Sequence, residues 1–118
     1  MIIVLEDRIF PHLVNTYVNT MSYTRFEWDE VKNRGNTRKH GLSFSTAARL
    51  FEYPHLAHLD TRREYDEDRW IAVGLIGAVV CVVVYSERMD QHGTRIIRII
   101  SARKATRHER EKFENKIG

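Results

Sequence analysis

The chain has one cysteine, Cys81, and two prolines, Pro11 and Pro54, among 118 residues. A lone thiol closes no internal disulfide, so a disulfide-stapled fold is excluded and a reducing compartment is expected. With only six glycines, the composition also excludes a collagenous or low-complexity chain. Long hydrophobic runs are missing as well. The apolar start, Met1 to Leu5, meets Glu6 and Asp7 at once, unlike a secretory leader. The stretch from Trp70 to Tyr85 is uncharged for sixteen residues, which is short of a membrane span. Its β-branched residues around Gly74 and Gly77 read instead as two buried strands. No membrane association and a cytoplasmic location are therefore expected. A strong excess of one charge is absent too: 19 Lys and Arg face 16 Asp and Glu, a net of +3. That balance permits an anionic partner without naming one.

What is present is a folded profile, 42% hydrophobic and 30% charged, long enough for one domain with a real core. Residues 1–25 show no sustained period, and Met21 stands just before the patterned region. They read either as an added strand and helix or as an extension upstream of a start at Met21. The second reading is carried forward, with residues 26–118 as the domain. Asp29 is placed to N-cap a polar helix that runs to His40, and Gly41 suits its C-terminal stop. Ser43 caps a second helix with Phe44, Ala47, Ala48, Leu50 and Phe51 on its apolar face, closed by Pro54. Strands are expected at Leu56–Asp60, Arg69–Ile76, Val79–Glu87 and Arg95–Ser101, with turns at Gly77-Ala78 and Asp90–Thr94. Thr106-x-x-Glu109 is a capping box opening a last helix to about Ile117. Two helices, four mainly antiparallel strands and a C-terminal helix make an α+β domain.

The charges are unevenly spread. Arg95 to Lys116 holds eight bases against three acids, a net of +5, whereas Asp60 to Asp68 is acidic. Such a cluster is what a polyanion site requires, although a solvated helix face has the same composition. Arg98 is harder to explain blandly. Alternation puts Ile97 and Ile99 on one sheet face and Ile96, Arg98 and Ile100 on the other, so Arg98 is either a packed stem or a cation held by the sheet. Arg69, ahead of Ile71 and Val73, poses the same question.

A metal site is not expected, and neither is a cofactor. Cys81 sits in a valine run as a small buried hydrophobe, and His55 and His58 have no thiolate partners nearby. Nothing basic flanks Cys81 to activate it as a nucleophile. The first helix is more informative: Lys32, Asn36 and His40 fall on one face, with Lys39 beside them. His40 at the helix end can simply complement the helix dipole. Together with Arg98, Arg103 and Lys104 it also fits metal-free RNA cleavage. RNA supplies its own 2′-hydroxyl nucleophile, so the protein need only move protons and stabilise the phosphorane.

These residues resemble a known family. Phe26-x-Trp28-Asp29-x-x-Lys32-x-x-x-Asn36-x-x-Lys39-His40-Gly41-x-x-Phe44-x-x-Ala47 is similar to the opening of the BrnT toxins. Arg69 to Gly74, Val84-Tyr85-Ser86-Glu87-Arg88, and Ile97-Arg98-Ile99-Ile100-Ser101-Ala102-Arg103-Lys104-Ala105 with Glu109 extend the similarity to about Glu114. The resemblance implies a RelE-like fold and a bacterial type II toxin acting as a ribonuclease that halts translation. It implies neutralisation by a BrnA-like antitoxin, through which the complex would reach operator DNA. Carried over residue by residue, the catalytic set is Lys39, His40, Glu67, Arg69, Arg98 and Arg103, with Lys32, Asn36, Lys104 and Arg107 as RNA-binding residues. Two departures stand out: Phe113 replaces a tyrosine frequent in the family, and the first 20–25 residues have no counterpart. A non-catalytic module that binds nucleic acid or antitoxin, or a degenerate toxin serving as co-repressor, is the alternative.

Overall fold

A computed structural model describes residues 24–62 and 64–117. The expectations for residues 1–23 lie outside them. The elements are β1 (Thr24–Glu27), α1 (Glu30–His40), α2 (Phe44–Ala47) with a 3-10 turn at Ala48–Glu52, β2 (His55–Leu59), β3 (Trp70–Ile76), β4 (Val79–Met89), β5 (Arg95–Lys104) and α3 (Arg107–Ile117). The sheet has five strands in the order β1-β5-β4-β3-β2, antiparallel except for the parallel β1–β5 pair. An α+β domain is thus what the sequence forms, with one strand more than its patterns show. Thr24, fully buried, belongs to that added strand.

Local chemistry fixes the helix ends. Asp29 Oδ1 accepts from Val31 N and Lys32 N, and Gly41 closes α1 at φ 70°, a conformation that strains other residues. Ser43 Oγ accepts from Thr46 N, but the α-helical part of the second helix ends at Ala47 and tightens into a 3-10 turn. Tyr53 N closes that turn on the Leu50 carbonyl, at 3.2 Å, one residue before Pro54. The capping box forms as expected: Glu109 N donates to Thr106 Oγ1 and Thr106 N to Glu109 Oε1.

The core lies between one sheet face and the helices after β1. It joins Leu42, Phe44, Ala47, Leu50 and Phe51 to Ala72, Cys81, Val83, Tyr85, Ile97, Ile99 and Ala102. Phe51 is its hub, with ring contacts to Phe26, His55 and Tyr85, the last at 4.9 Å between centroids. Cys81 is buried there, and burial raises its thiol pKa, as its place in the valine run implies. Gly74 admits no side chain: a Cβ would stand 2.6 Å from that of His55, its partner in the β2–β3 pairing.

Two features of β5 position the other face. Its register against β4 shifts so that Val84 faces Ser101 while Tyr85 faces Ile99, leaving Ile100 as an extra residue. Beyond that bulge the alternation inverts. Ala102 turns into the core, while Ser101 and Arg103 join Arg98 on the opposite face. The second feature is the β5 edge beyond Arg98, where β1 has ended. There Asn36 acts as a substitute strand. Its Nδ2 donates to Ala102 O at 2.7 Å and to Leu42 O at 2.9 Å, and its Oδ1 accepts from Ala102 N.

Candidate active site

On the sheet face turned away from α1 and α2, strand register arranges side chains in rows. Leu56, Val73, Val82 and Arg103 stand opposite one another in sequence; the next row is His58, Ile71, Val84 and Ser101. A third runs from Ser86 to Arg98 and then Glu27 on β1, and one step beyond the Trp70–Tyr85 pair the same register sets Arg69 beside Ser86. The valines and isoleucines make an apolar floor. Over it lies α3, held through Phe113, which is 3% exposed, leaving a groove of about 560 Å³. Arg62, Arg103, Lys112 and Lys116 line this groove with His58 and Ser101, and Glu109 is the acid among them.

The catalytic set expected from the sequence separates into two groups. Arg98 Nη1 donates to Glu27 Oε2 at 3.2 Å, and Arg88 clasps the same carboxylate with two hydrogen bonds. Those arginines hold the Glu27 carboxyl below its usual range, Arg88 contributing most. Glu67, exposed in the loop before β3, adds its charge to the surroundings of Arg88. Arg69 stacks its guanidinium 4.3 Å over the Tyr65 ring, with a buried Nε that has no hydrogen-bond partner among the described residues. Glu67, Arg69 and Arg98 therefore share one end of the face. Arg103 stands at the other, bound by two hydrogen bonds to Glu109, whose carboxyl that pairing lowers to about 2.

Lys39 and His40 form the last turn of α1 with Arg38, a basic end that complements the helix dipole. The Asn36 clamp fixes this end of the helix beside Ala102, next to Arg103 in the chain. No hydrogen bond or ion pair joins Lys39 or His40 to the arginines or Glu67 among the described residues. Lys32 is exposed on α1, while Asn36 has its amide engaged with backbone, a positioning task that helix-face spacing did not reveal. Lys104 is exposed, and Arg107 pairs with Glu111 at 3.1 Å.

Arg95 leaves the basic cluster altogether. It is 1% exposed on the core side, doubly hydrogen-bonded to Glu87, with its guanidinium 5.9 Å from the Phe51 centroid. Conversely, sequence reading passed over Arg62, which binds buried Asp60 through Nε and Nη2 and, with Tyr65, holds that carboxyl well below the ordinary range. It also set His58 aside as half of an unsupported metal pair. The signal for His58 is cross-strand register, which one chain read linearly does not display, and Arg62 is placed by its hydrogen bonds to Asp60 just after β2. Among the described residues no three His, Cys, Asp or Glu side chains converge as metal ligands, and no helix is long and apolar enough to cross a membrane.

No curated protein sequence matches this chain. A family model does: the one described as "Ribonuclease toxin, BrnT, of type II toxin-antitoxin system" matches residues 28–109, more than half the chain. The match spans every residue of the catalytic and RNA-binding sets expected from the sequence, and a type II toxin implies a cognate antitoxin. The chain belongs to the BrnT family of ribonuclease toxins of type II toxin-antitoxin systems.

Proposed function

We propose that this protein is a metal-independent endoribonuclease that cuts RNA and stops translation, restrained by a BrnA-like antitoxin that carries the complex to operator DNA. In this reading the RNA strand lies along β5 on the open sheet face. Arg98 and Arg69 hold it at one end and Arg103 at the other, while Lys104, Arg107 and Lys32 extend the cationic track. Lys39 or His40, at the α1 terminus beside the β5 edge, transfers a proton, and Glu67 orients the arginines near it. The 2′-hydroxyl attacks the adjacent phosphate, and the guanidinium groups stabilise the phosphorane charge.

The observation that supports this reading is the β5 bulge. Strict alternation would bury Arg103 beside Ile97 and Ile99; the extra residue Ile100 turns it to the face that Arg98 occupies. A half-exposed guanidinium on that face can trade its carboxylate for a phosphate with the same planar fork. The test is incubation of the full chain with single-stranded RNA in EDTA. Cleavage leaving a 2′,3′-cyclic phosphate, blocked by a 2′-deoxy substitution at the scissile nucleotide, is expected. Cleavage that EDTA abolishes would falsify the metal-independent mechanism.

One observation favours the non-catalytic alternative: Arg98, Arg103 and Arg107 all have carboxylate partners within the chain. Phe113, the buried residue of α3, presents no phenol either. RNA binding without products, and without growth arrest on induced expression, is the outcome that reading requires.

A further inference from the structure

Three histidines, His55, His40 and His58, do different things. His55 is fully buried, with Nδ1 2.7 Å from the Tyr53 carbonyl, and packs on Phe51. His40 ends α1 among basic neighbours, where its place is explained by the helix. His58 has no structural task. It is exposed on β2, makes no hydrogen bond or ion pair among the described residues, and faces the groove beneath α3.

The groove that His58 faces suits a phosphodiester. The row of His58 crosses the sheet through Ile71 and Val84 to Ser101, and the neighbouring row ends at Arg103. Three strand spacings separate His58 from Ser101, roughly 14 Å between backbones, so a nucleotide fits between the edges. The groove volume, about 560 Å³, suits a ligand of that size. Four cations line it against one acid, and that acid is already tied to Arg103. Lys112 and Lys116 have no carboxylate partner among the described residues. Arg62 and Arg103 both line the groove, each braced by its own carboxylate. Like charges held together in this way favour an anion between them. The apolar floor excludes water below it and gives a base a surface to lie on.

We propose that this groove holds the scissile phosphodiester, with His58 as the catalytic base and Arg62 as a second guanidinium clamp beside Arg103. The proposal rests on the ribonuclease reading and moves its proton acceptor from α1 to β2. The 2′-hydroxyl proton passes to the neutral imidazole of His58 as the 2′ oxygen bonds to phosphorus. The P–O5′ bond breaks with its electron pair on O5′, which takes a proton from water. The hydroxide formed takes the proton from the His58 imidazolium and restores the base. The products are a 2′,3′-cyclic phosphate and a 5′-hydroxyl.

The test uses the full chain, a single-stranded RNA oligonucleotide for single-turnover cleavage, and its 2′-deoxy copy for binding. His58→Ala is expected to slow cleavage about 100-fold or more while binding stays within about twofold, and added imidazole restores part of the rate. His58 is exposed, so the fold is unaffected, and His92→Ala on the β4–β5 turn serves as the unchanged control. Lys112→Gln with Lys116→Gln should weaken binding about tenfold and flatten its salt dependence. His58→Ala cleaving at the wild-type rate, or losing rate and binding together without imidazole rescue, overturns the proposal and leaves the ribonuclease reading standing. Wild-type protein that binds RNA but never cuts it overturns both.

Discussion

The two faces of the sheet use the same chemical pair for opposite purposes. On the helix-covered face, Arg95 and Glu87 are each 1% exposed and locked into the aromatic core. On the open face, Arg98–Glu27 and Arg103–Glu109 leave between 30% and 42% of each side chain in water. A buried pair cannot change partners without stranding a charge, so it holds the fold. A half-exposed pair gains little net energy from its contact and can exchange a carboxylate for a phosphate. All three arginines come from one strand, β5, and the bulge at Ile100 decides which face Arg103 serves. Counting bases along the sequence merges these roles; burial separates them.

Breaking the buried pair gives the largest expected effect. Glu87→Gln should destabilise the fold by about 3–5 kcal/mol, because Arg95 is left charged inside the core. Urea denaturation reads this directly, and a loss below about 1 kcal/mol would erase the distinction between the faces. Asn36→Ala comes next, at about 1–3 kcal/mol, since the amide and carbonyl of Ala102 lose their partners at the open edge of β5. The same variant should loosen the α1 terminus and reduce cleavage more than its stability loss explains.

On the open face the expected stability changes are small and the functional ones are not. Glu109→Gln should cost no more than about 1 kcal/mol, even with its contribution to the capping box. It frees Arg103, so RNA should bind more tightly, not less. The variant also tests linkage. The Glu109 carboxyl titrates at about 2 in the fold against an ordinary 4.5, so its contribution is fully present above 4.5. That contribution is lost as pH falls from about 4.5 toward 2, and Glu109→Gln should lose less stability across this window than the wild type. The smallest effect belongs to Glu27→Gln, whose carboxyl shares two exposed arginines. Its stability should stay within about 1 kcal/mol, while RNA binding tightens as Arg88 and Arg98 are released.

Local chemistry was legible in the sequence wherever a feature closes within a few residues. The Asp29 and Ser43 caps, the Gly41 stop, the Thr106–Glu109 box and the paired strands around Gly77 all depend on near neighbours. The inward set Cys81, Ile97 and Ile99 follows from alternation for the same reason. What depends on distant pairing was not legible. β1 has four residues and finds its partner about seventy positions away, so no local period announces it. The bulge leaves no mark in a run such as Ile96-Ile97-Arg98-Ile99-Ile100, which reads as unbroken alternation. Asn36 looked like a donor on a polar helix face until Ala102 was placed beside it. His58 entered the site through registers that join β2 to β5 across two strands, Arg62 through its ion pair with Asp60 just beyond β2, and nothing in their sequence neighbourhood hints at Arg103.

The central claim is that the open face carries RNA chemistry and the covered face carries the fold. Its most direct test is Arg103→Met, with single-turnover RNA cleavage and urea stability measured on one preparation. The account expects cleavage to fall by about 100-fold or more, as loss of a charge-stabilising group does, with stability within about 1 kcal/mol of wild type. Wild-type cleavage by Arg103→Met, or a loss of activity that only tracks unfolding, would contradict it.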